Sequence, residues 1–294
     1  MQTVLITGAN GFLAQYLIRV LRDNYKVVGT GRGEARFNLD HPNVYYRNMD
    51  FTDPVAVAEV IAMNKPDVIV HAGAISQPDV CEGNKPLADL TNTESTGYLL
   101  EAAAACKSFF IFLSSCFVFN GTAGMYTEED EPEPVNYYGE TKLRAEALVR
   151  AYAHAWSIVR TVLVYGKPEG GHPNLPTLVA EKLQRGEAYS VFNDQVRTPT
   201  YVEDLAGGIE AIISRRAEGV YHLSGKDLLT PYQIALATAK LLGLDDTLLT
   251  PVTAETFSHG AARPKRTGFC IDKARHDLGY DPVSFEEGLR KTFS

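Results

Sequence analysis

The chain is predicted to be an α/β protein, a doubly wound parallel sheet with a small discontinuous C-terminal domain. Three observations predict it. Apolar strand-like runs alternate with helical patterns through the first half of the 294 residues. Those runs are apolar throughout, as strands covered on both faces must be. A glycine-rich turn, "TGANGF", joins the first run to the first helix. Strand–helix alternation needs right-handed crossovers and helices on both sheet faces.

The elements follow in order. "QTVLIT" (2–7) is the first strand. "FLAQYLIRVLRDN" (12–24) sets Phe12, Leu13, Tyr16, Leu17, Val20 and Leu21 on one helix face. "KVVGTG" (26–31) and "VYYRNMD" (44–50) are strands, "PVAVAEVIAMN" (54–64) is a helix, and "DVIVHAG" (67–73) is the fourth strand. A long helix is expected over 87–106, then the strand "FFIFLSS" (109–115), a helix over 138–155 and the strand "SIVRTVLVYG" (157–166). The Pro- and Gly-rich "KPEGGHPNLPT" (167–177) is an irregular excursion, followed by a helix near 176–186. "VRTPTYVEDLAGGIEAII" (196–213) returns to the sheet with a helix, and "GVYHLSG" (219–225) is a strand. Two helices are expected in 226–294. The division is therefore 1–166 with 199–225 for the sheet domain and 167–198 with 226–294 for the small one. A ligand cleft between them would face the carboxyl ends of the strands.

Composition excludes several classes. Hydrophobic residues at 45% and charged residues at 22% are ordinary for a soluble globular protein. A net charge of −8 argues against a nucleic-acid or anionic-membrane surface. Cys81, Cys106, Cys116 and Cys270 are far apart and form no metal-ligand spacing, so no metal is expected and the thiols read as reduced. With no leader pattern at "MQTVLITGAN" and no membrane-length apolar run, the expected location is cytoplasmic.

The glycine turn carries the first chemical reading. Gly8, Gly11 and Ala14 are small, which lets a backbone approach a pyrophosphate. The helix start adds free N–H groups and a favourable dipole. The spacing departs from the simplest dinucleotide fingerprint, and a ligand-free turn is the bland alternative. The second strand ends in Gly29, Thr30 and Gly31, then Arg32, with no carboxylate where the ribose of NAD would sit. A guanidinium there suits a 2′-phosphate, so NADP(H) is preferred, while Glu34 leaves NAD(H) open. Asp50 would take the adenine amino group or cap the next helix.

"NYYGETKLRAEALV" places Tyr138 and Lys142 at i, i+4, on one helix face. A phenol titrates near ~10 and is a poor acid–base at neutral pH. A neighbouring ammonium is expected to lower it. Tyr137 points elsewhere.

"TGANGFLA", "HAGA", "LSSCFVFNG", "YYGETK" and "VRTVLVYG" together resemble the extended short-chain dehydrogenase/reductases, with their Rossmann-type sheet. "DQVRTPTYVEDLAGGI", "GVYHLSG" and "ARPKRTGFCIDKARHDLG" are similar to the dTDP-4-dehydrorhamnose reductases and to their relative, the β regulatory subunit of methionine adenosyltransferase. The resemblance implies hydride transfer from a nicotinamide C4 to a ketone on a sugar or nucleotide sugar. Carried over, the catalytic residues fall on Ser115, Tyr138 and Lys142. Tyr138 would give the proton, Ser115 would hydrogen-bond the same oxygen, and Lys142 would bind the nicotinamide ribose. Cofactor contacts are implied from Gly8, Asn10, Gly11, Phe12, Leu13, Arg32, Asp50, Phe51, Ala72, Gly73, Ala74, Asn92 and Val164, besides Tyr138 and Lys142. For Asn92, an exposed polar residue is the alternative. Ser114 is expected to face the sheet or satisfy backbone groups. The helices at 87–106 and 138–155 pair across a two-fold in many relatives, so a homodimer is one expectation.

Four positions in three segments depart from the reductases. Cys116 and Phe117 stand where those enzymes usually carry Asp and Tyr, Leu163 stands for Trp, and Arg197 for Gly. Cys116 and Phe117 are expected to line the substrate pocket, and Arg197 and Arg263 to bind a phosphate or carboxylate, with solvated loop arginines as the alternative. Losing hydrogen-bonding groups there points to a different substrate. Cys116 has no motif-linked base, so it is not read as a nucleophile. Epimerisation and a non-catalytic dinucleotide-binding subunit are the rival functions. Dehydration would need an Asp-Glu pair that "SSCF" lacks.

Overall fold

The computed structural model describes residues 1–168, 173–253 and 260–294. Residues 169–172 of the irregular excursion and 254–259 of the C-terminal stretch lie outside the described residues.

The first half builds β1 (Thr3–Thr7), α1 (Phe12–Leu21), β2 (Lys26–Gly31), β3 (Val44–Asn48), α2 (Pro54–Asn64) and β4 (Val68–His71). Then come α3 (Pro78–Gly83), α4 (Lys85–Asp89), α5 (Ser95–Cys106), β5 (Phe109–Ser115), α6 (Tyr137–Arg150) and β6 (Trp156–Thr161). The second half adds β7 (Val164–Tyr165), α7 (Leu175–Gln184), β8 (Tyr189–Phe192), β9 (Thr200–Tyr201), α8 (Val202–Arg215) and β10 (Gly219–His222). It ends in α9 (Pro231–Leu242), β11 (Leu249–Val252), α10 (Asp272–Leu278) and α11 (Phe285–Phe293).

Among the described residues the central sheet has seven strands in the order β10-β6-β5-β4-β1-β2-β3, all parallel. Strand alternation divides its core. Val4, Ile6, Val68, Val70, Phe109 and Ile111 pack on one face with α1 and α8. Leu5, Ile69, Phe110 and Phe112 pack on the other with α2, α5 and α6. Both faces are apolar because both are covered, which is why the strands read as continuous apolar runs. Chain order reverses between β1 and β4, and such a switch point opens a crevice at the strands' carboxyl ends.

A smaller cluster, Val179, Leu183, Val191, Ala235, Ala239 and Leu249, joins α7 and α9 to the two-stranded β8–β11 sheet. The side chains of Ala274, Leu278, Tyr280, Phe285 and Leu289, from 272–294, lie instead in the main core.

The structure corrects several element predictions. The helix over 87–106 is three pieces, α4, a π-helical turn at Leu90–Glu94, and α5. The helix over 138–155 stops at Arg150, because the chain must turn at 151–155 to enter β6 beside β5. The strand over 157–166 breaks after Thr161. Leu163 takes a positive φ of 37°, and Val164–Tyr165 then pairs with β9 instead of the main sheet. Among the described residues of 226–294 there are three α-helices, not two.

Candidate active site

The switch-point crevice is a cleft of about 580 Å³. Gly8, Asn10 and Gly11 line it from the β1–α1 turn, Gly31, Arg32 and Arg36 from beyond β2, Asp50 and Phe51 from beyond β3, and Ala72, Gly73 and Ala74 from beyond β4. Gly8 has φ 68°, and a Cβ on it would stand 2.8 Å from the Gly73 Cα. Gly73 is equally constrained, since its Cβ would meet the Phe51 ring at 2.5 Å. The two strand ends approach this closely because neither carries a side chain. Gly11 caps α1 without a side-chain hydrogen bond. The first N–H groups of α1 are therefore left for a ligand, and the dipole favours an anion. The exposed guanidinium groups of Arg32 and Arg36 stand at the same cleft. Free helix N–H groups, small residues and two cations fit a dinucleotide phosphate.

Asn10 has a second task. Its Nδ2 donates to the carbonyls of Arg32 and Glu34, and its Oδ1 accepts from the Arg36 N–H at 2.8 Å. It pins the loop that carries both arginines. Phe12 and Leu13 begin α1, with Leu13 buried in the core. Val164 is half-buried in β7, away from the lining of this cleft.

Two expectations need correction. Asp50 is no helix cap. It accepts from the Thr52 N–H and hydroxyl, and Asp53 caps α2 through Val55 and Ala56. Asn92 is neither exposed nor open to a ligand. It is 1% exposed, and its carboxamide accepts from Ile75 N and donates to Ile75 O and to the Thr141 hydroxyl. It braces the segment after β4 against α6, and the wide π-helical turn that holds it sets its position.

Beside the cleft, Ser115 ends β5 and Tyr138 and Lys142 project from α6. Asn136 caps α6 by accepting from Gly139 N at 2.9 Å. Gly139 lies so close to the 3₁₀ turn Cys116–Val118 that a Cβ would stand 2.1 Å from the Phe117 carbonyl oxygen. That contact brings the start of α6 against the end of β5. Tyr138 is 7% exposed, meets the Phe117 ring edge-on at 5.6 Å, and is hydrogen-bonded by Ser115. Lys142 is 2% exposed, with Nζ 4.0 Å from the centre of the Phe112 ring. Tyr137 is turned away, donating to Asp89 at 2.6 Å.

The electrostatics reverse one expectation. Burial pushes the Tyr138 phenol above its usual range, and only the Ser115 hydrogen bond opposes it. Lys142 does not set that value. Burial brings Lys142 itself down to about 7, against the opposing pull of the Glu146 carboxylate. Two groups buried together each lose hydration, so each is driven toward its neutral form. A phenol held protonated is suited to giving a proton.

The residues expected at the substrate sort unevenly. Cys116 is 2% exposed, and burial raises its thiol, which disfavours the nucleophilic thiolate. Phe117 supports the Tyr138 ring. Arg197 is 5% exposed and its terminal nitrogens donate to the carbonyls of Val196, Lys265 and Pro264 and to Gln195. These donors fasten 195–197 to 264–265 and are not turned to an anion. Arg263 pairs with Asp79 at 2.5 Å and donates to Ala261 O. It ties the segment after residue 259 to α3, as Asn136 does to α6 by donating to Ala262 O at 2.6 Å. Sequence reading missed Arg36, Asn136 and Gly139. The signals were present in a second arginine four residues after Arg32, and in an Asn-x-x-Gly start of a helix.

No helix among the described residues is long and apolar enough to cross a membrane, and no His/Cys/Asp/Glu group there has metal-site geometry. Comparison with known proteins agrees with the fold. The methionine adenosyltransferase 2 subunit beta of Rattus norvegicus is 34% identical over 269 residues, covering 89% of this chain and 78% of that protein. The "Probable low-salt glycan biosynthesis reductase Agl14" of Haloferax volcanii is 30% identical, covering 97% and 95%. Among solved structures, the dTDP-4-dehydrorhamnose reductase of Bacillus anthracis in complex with NADP superposes with a TM-score of 0.86 at 28% identity, over 100% and 99% of the two chains. The profile described as RmlD substrate binding domain matches residues 1–294. This chain belongs to the RmlD substrate binding domain family.

Proposed function

We propose that this chain is an NADP(H)-dependent reductase of a ketone on a sugar or nucleotide sugar. The observation that carries the reading is the buried Tyr138, hydrogen-bonded to Ser115, beside the glycine-lined crevice between β1 and β4. Likeness to a dTDP-4-dehydrorhamnose reductase that holds NADP supports the cofactor and the reaction class.

Helix α1 would hold the cofactor's phosphates, and Arg32 and Arg36 its 2′-phosphate. The bound reduced nicotinamide supplies a hydride to the carbonyl carbon. Tyr138 gives its proton to the carbonyl oxygen as charge grows there, and Ser115 donates a hydrogen bond to the same atom. Lys142 orients the cofactor's ribose. Phe117 holds the phenol in place, and Asp79 and Asn136 tie residues 261–263 to the starts of α3 and α6.

A panel of keto sugars and keto nucleotide sugars, followed by NADPH oxidation, tests the reading. At least one member should be reduced. Tight NADPH binding with no turnover across the panel would favour a dinucleotide-binding subunit instead.

The two arginines make a separate prediction. Replacing both Arg32 and Arg36 by Ala should weaken NADPH binding about 10- to 100-fold, the worth of charge-assisted hydrogen bonds. NADH binding should change little, because it lacks the phosphate. Titration of cofactor fluorescence measures both, and equal losses for the two cofactors would remove the arginines from the 2′-phosphate site.

A further inference from the structure

Glu146 lies four residues beyond Lys142 on α6 and is fully buried. No role described above uses it. Its Oε1 accepts from the Ser114 hydroxyl at 2.6 Å and from Arg160 Nε at 3.0 Å. Its Oε2 accepts from Arg160 Nη2 at 2.7 Å, with Arg150 Nη2 at 3.8 Å. Ser114, expected to face the sheet or satisfy backbone groups, spends its hydroxyl on this carboxylate. Three elements meet at one side chain: α6, β5 next to Ser115, and β6 through Arg160.

Stability alone does not account for such a pair. Replacing a buried ion pair by well-packed apolar groups is often neutral or stabilising. Its placement suggests another purpose. The groups acting on or facing Lys142 are His71 from β4, Cys81 from α3 and Glu146 from α6, with the Phe112 ring from β5. Burial and Lys142 hold His71 down at about 3, so it stays neutral. Burial raises Cys81 and Tyr138, so both keep their protons. Glu146 is the one carboxylate in this group.

We propose that Glu146 is a positioning residue of the candidate site. Held by Ser114 and Arg160, it supplies the countercharge for Lys142 and fastens α6 to the strand end that carries Ser115. Its purpose rests on the reductase reading, but its electrostatic action does not.

The experiment follows Lys142 by NMR in full-length protein carrying isotopically labelled lysine, with Lys142→Arg identifying the resonance. Wild type should titrate near about 7. In Glu146→Gln the midpoint should fall by at least about one pH unit, as for loss of a nearby opposite charge. That variant leaves Arg160 unpaired and is prone to misfold. The double variant Glu146→Gln/Arg160→Met removes both charges, so its melting temperature should return toward wild type while the Lys142 midpoint stays low. In turnover, the pH limb that reports loss of the Lys142 proton should move to lower pH. An unchanged Lys142 midpoint in the folded double variant would overturn the proposal. The titration needs neither cofactor nor ketone. A shifted Lys142 in a protein that reduces no ketone would therefore defeat the reductase reading alone.

Discussion

Tyr138→Phe lowers kcat and kcat/KM for ketone reduction together, by about 10²- to 10⁴-fold, the worth of a positioned general acid. The substitution removes one oxygen and leaves the ring. The edge-on contact with Phe117 and the packing against Cys81 and Ala88 persist, so the fold should hold. Ser115 remains able to hydrogen-bond the carbonyl oxygen, which leaves a residual rate. The cofactor cleft is lined by other residues, so NADPH affinity should change little. The effect belongs to the transition state because a proton is needed only as charge develops on the carbonyl oxygen. Steady-state kinetics with a responsive ketone, beside a thermal melt and a cofactor titration, separates this from a folding defect. Equal rates for variant and wild type would remove Tyr138 from the mechanism.

The second large effect is on stability. Arg160→Met should destabilise the protein by about 3–5 kcal/mol, because it leaves the Glu146 carboxylate buried without its main partner. Arg160 is fully buried, and its guanidinium lies 5.0 Å from the centre of the Phe119 ring. Methionine keeps the apolar stem and a favourable contact with that ring. The loss therefore reports the charge and its two hydrogen bonds more than packing. A fall in Tm on the order of 10 °C is expected. Adding Glu146→Gln to the same protein should recover most of it, since no uncompensated charge then remains. A double variant as unstable as the single one would show that packing dominates at Arg160.

Local pattern carried much of the fold. The strands around β1, β2, β4 and β5 are apolar on both faces, and the run of hydrophobic residues is itself the evidence of their burial. Where tertiary pairing decides, pattern failed. Val162 is as apolar as Val159, yet the chain leaves the main sheet there, because β7 pairs with Thr200–Tyr201 from a distant segment. Nothing in a hydrophobic profile reports that partner. The catalytic candidates were legible because Tyr138 and Lys142 share one helix, and because Ser115 ends a buried strand. Asn92, Ser114 and Arg197 were misread for a common reason. A polar residue's role depends on which buried donors and acceptors it meets, and those come from elements far away in sequence. Thr141 and Ile75 claim Asn92, Glu146 claims Ser114, and the 264–265 carbonyls claim Arg197. Asn10 shows the same limit in the opposite direction, since a residue of the cofactor turn also holds the loop of Arg32 and Arg36 in place.

Cys116, Phe117 and Leu163 separate this chain from the reductases it resembles. Cys116 and Phe117 are engaged in packing around Tyr138 and the turn beneath it. The polar groups that those positions usually offer to a sugar are absent, so the preferred ketone should be less dependent on hydrogen bonds at that edge.

The proposed reaction is net reduction, with Tyr138 as proton donor at a nicotinamide site. Its most direct test is one turnover of a responsive ketone with NADPH deuterated on the transferable C4 position. Mass spectrometry of the product should show one deuterium, bound to the carbon that carried the ketone, and one NADPH oxidised per product formed. Product without deuterium, or a rearranged sugar formed with no NADPH consumed, would contradict the account.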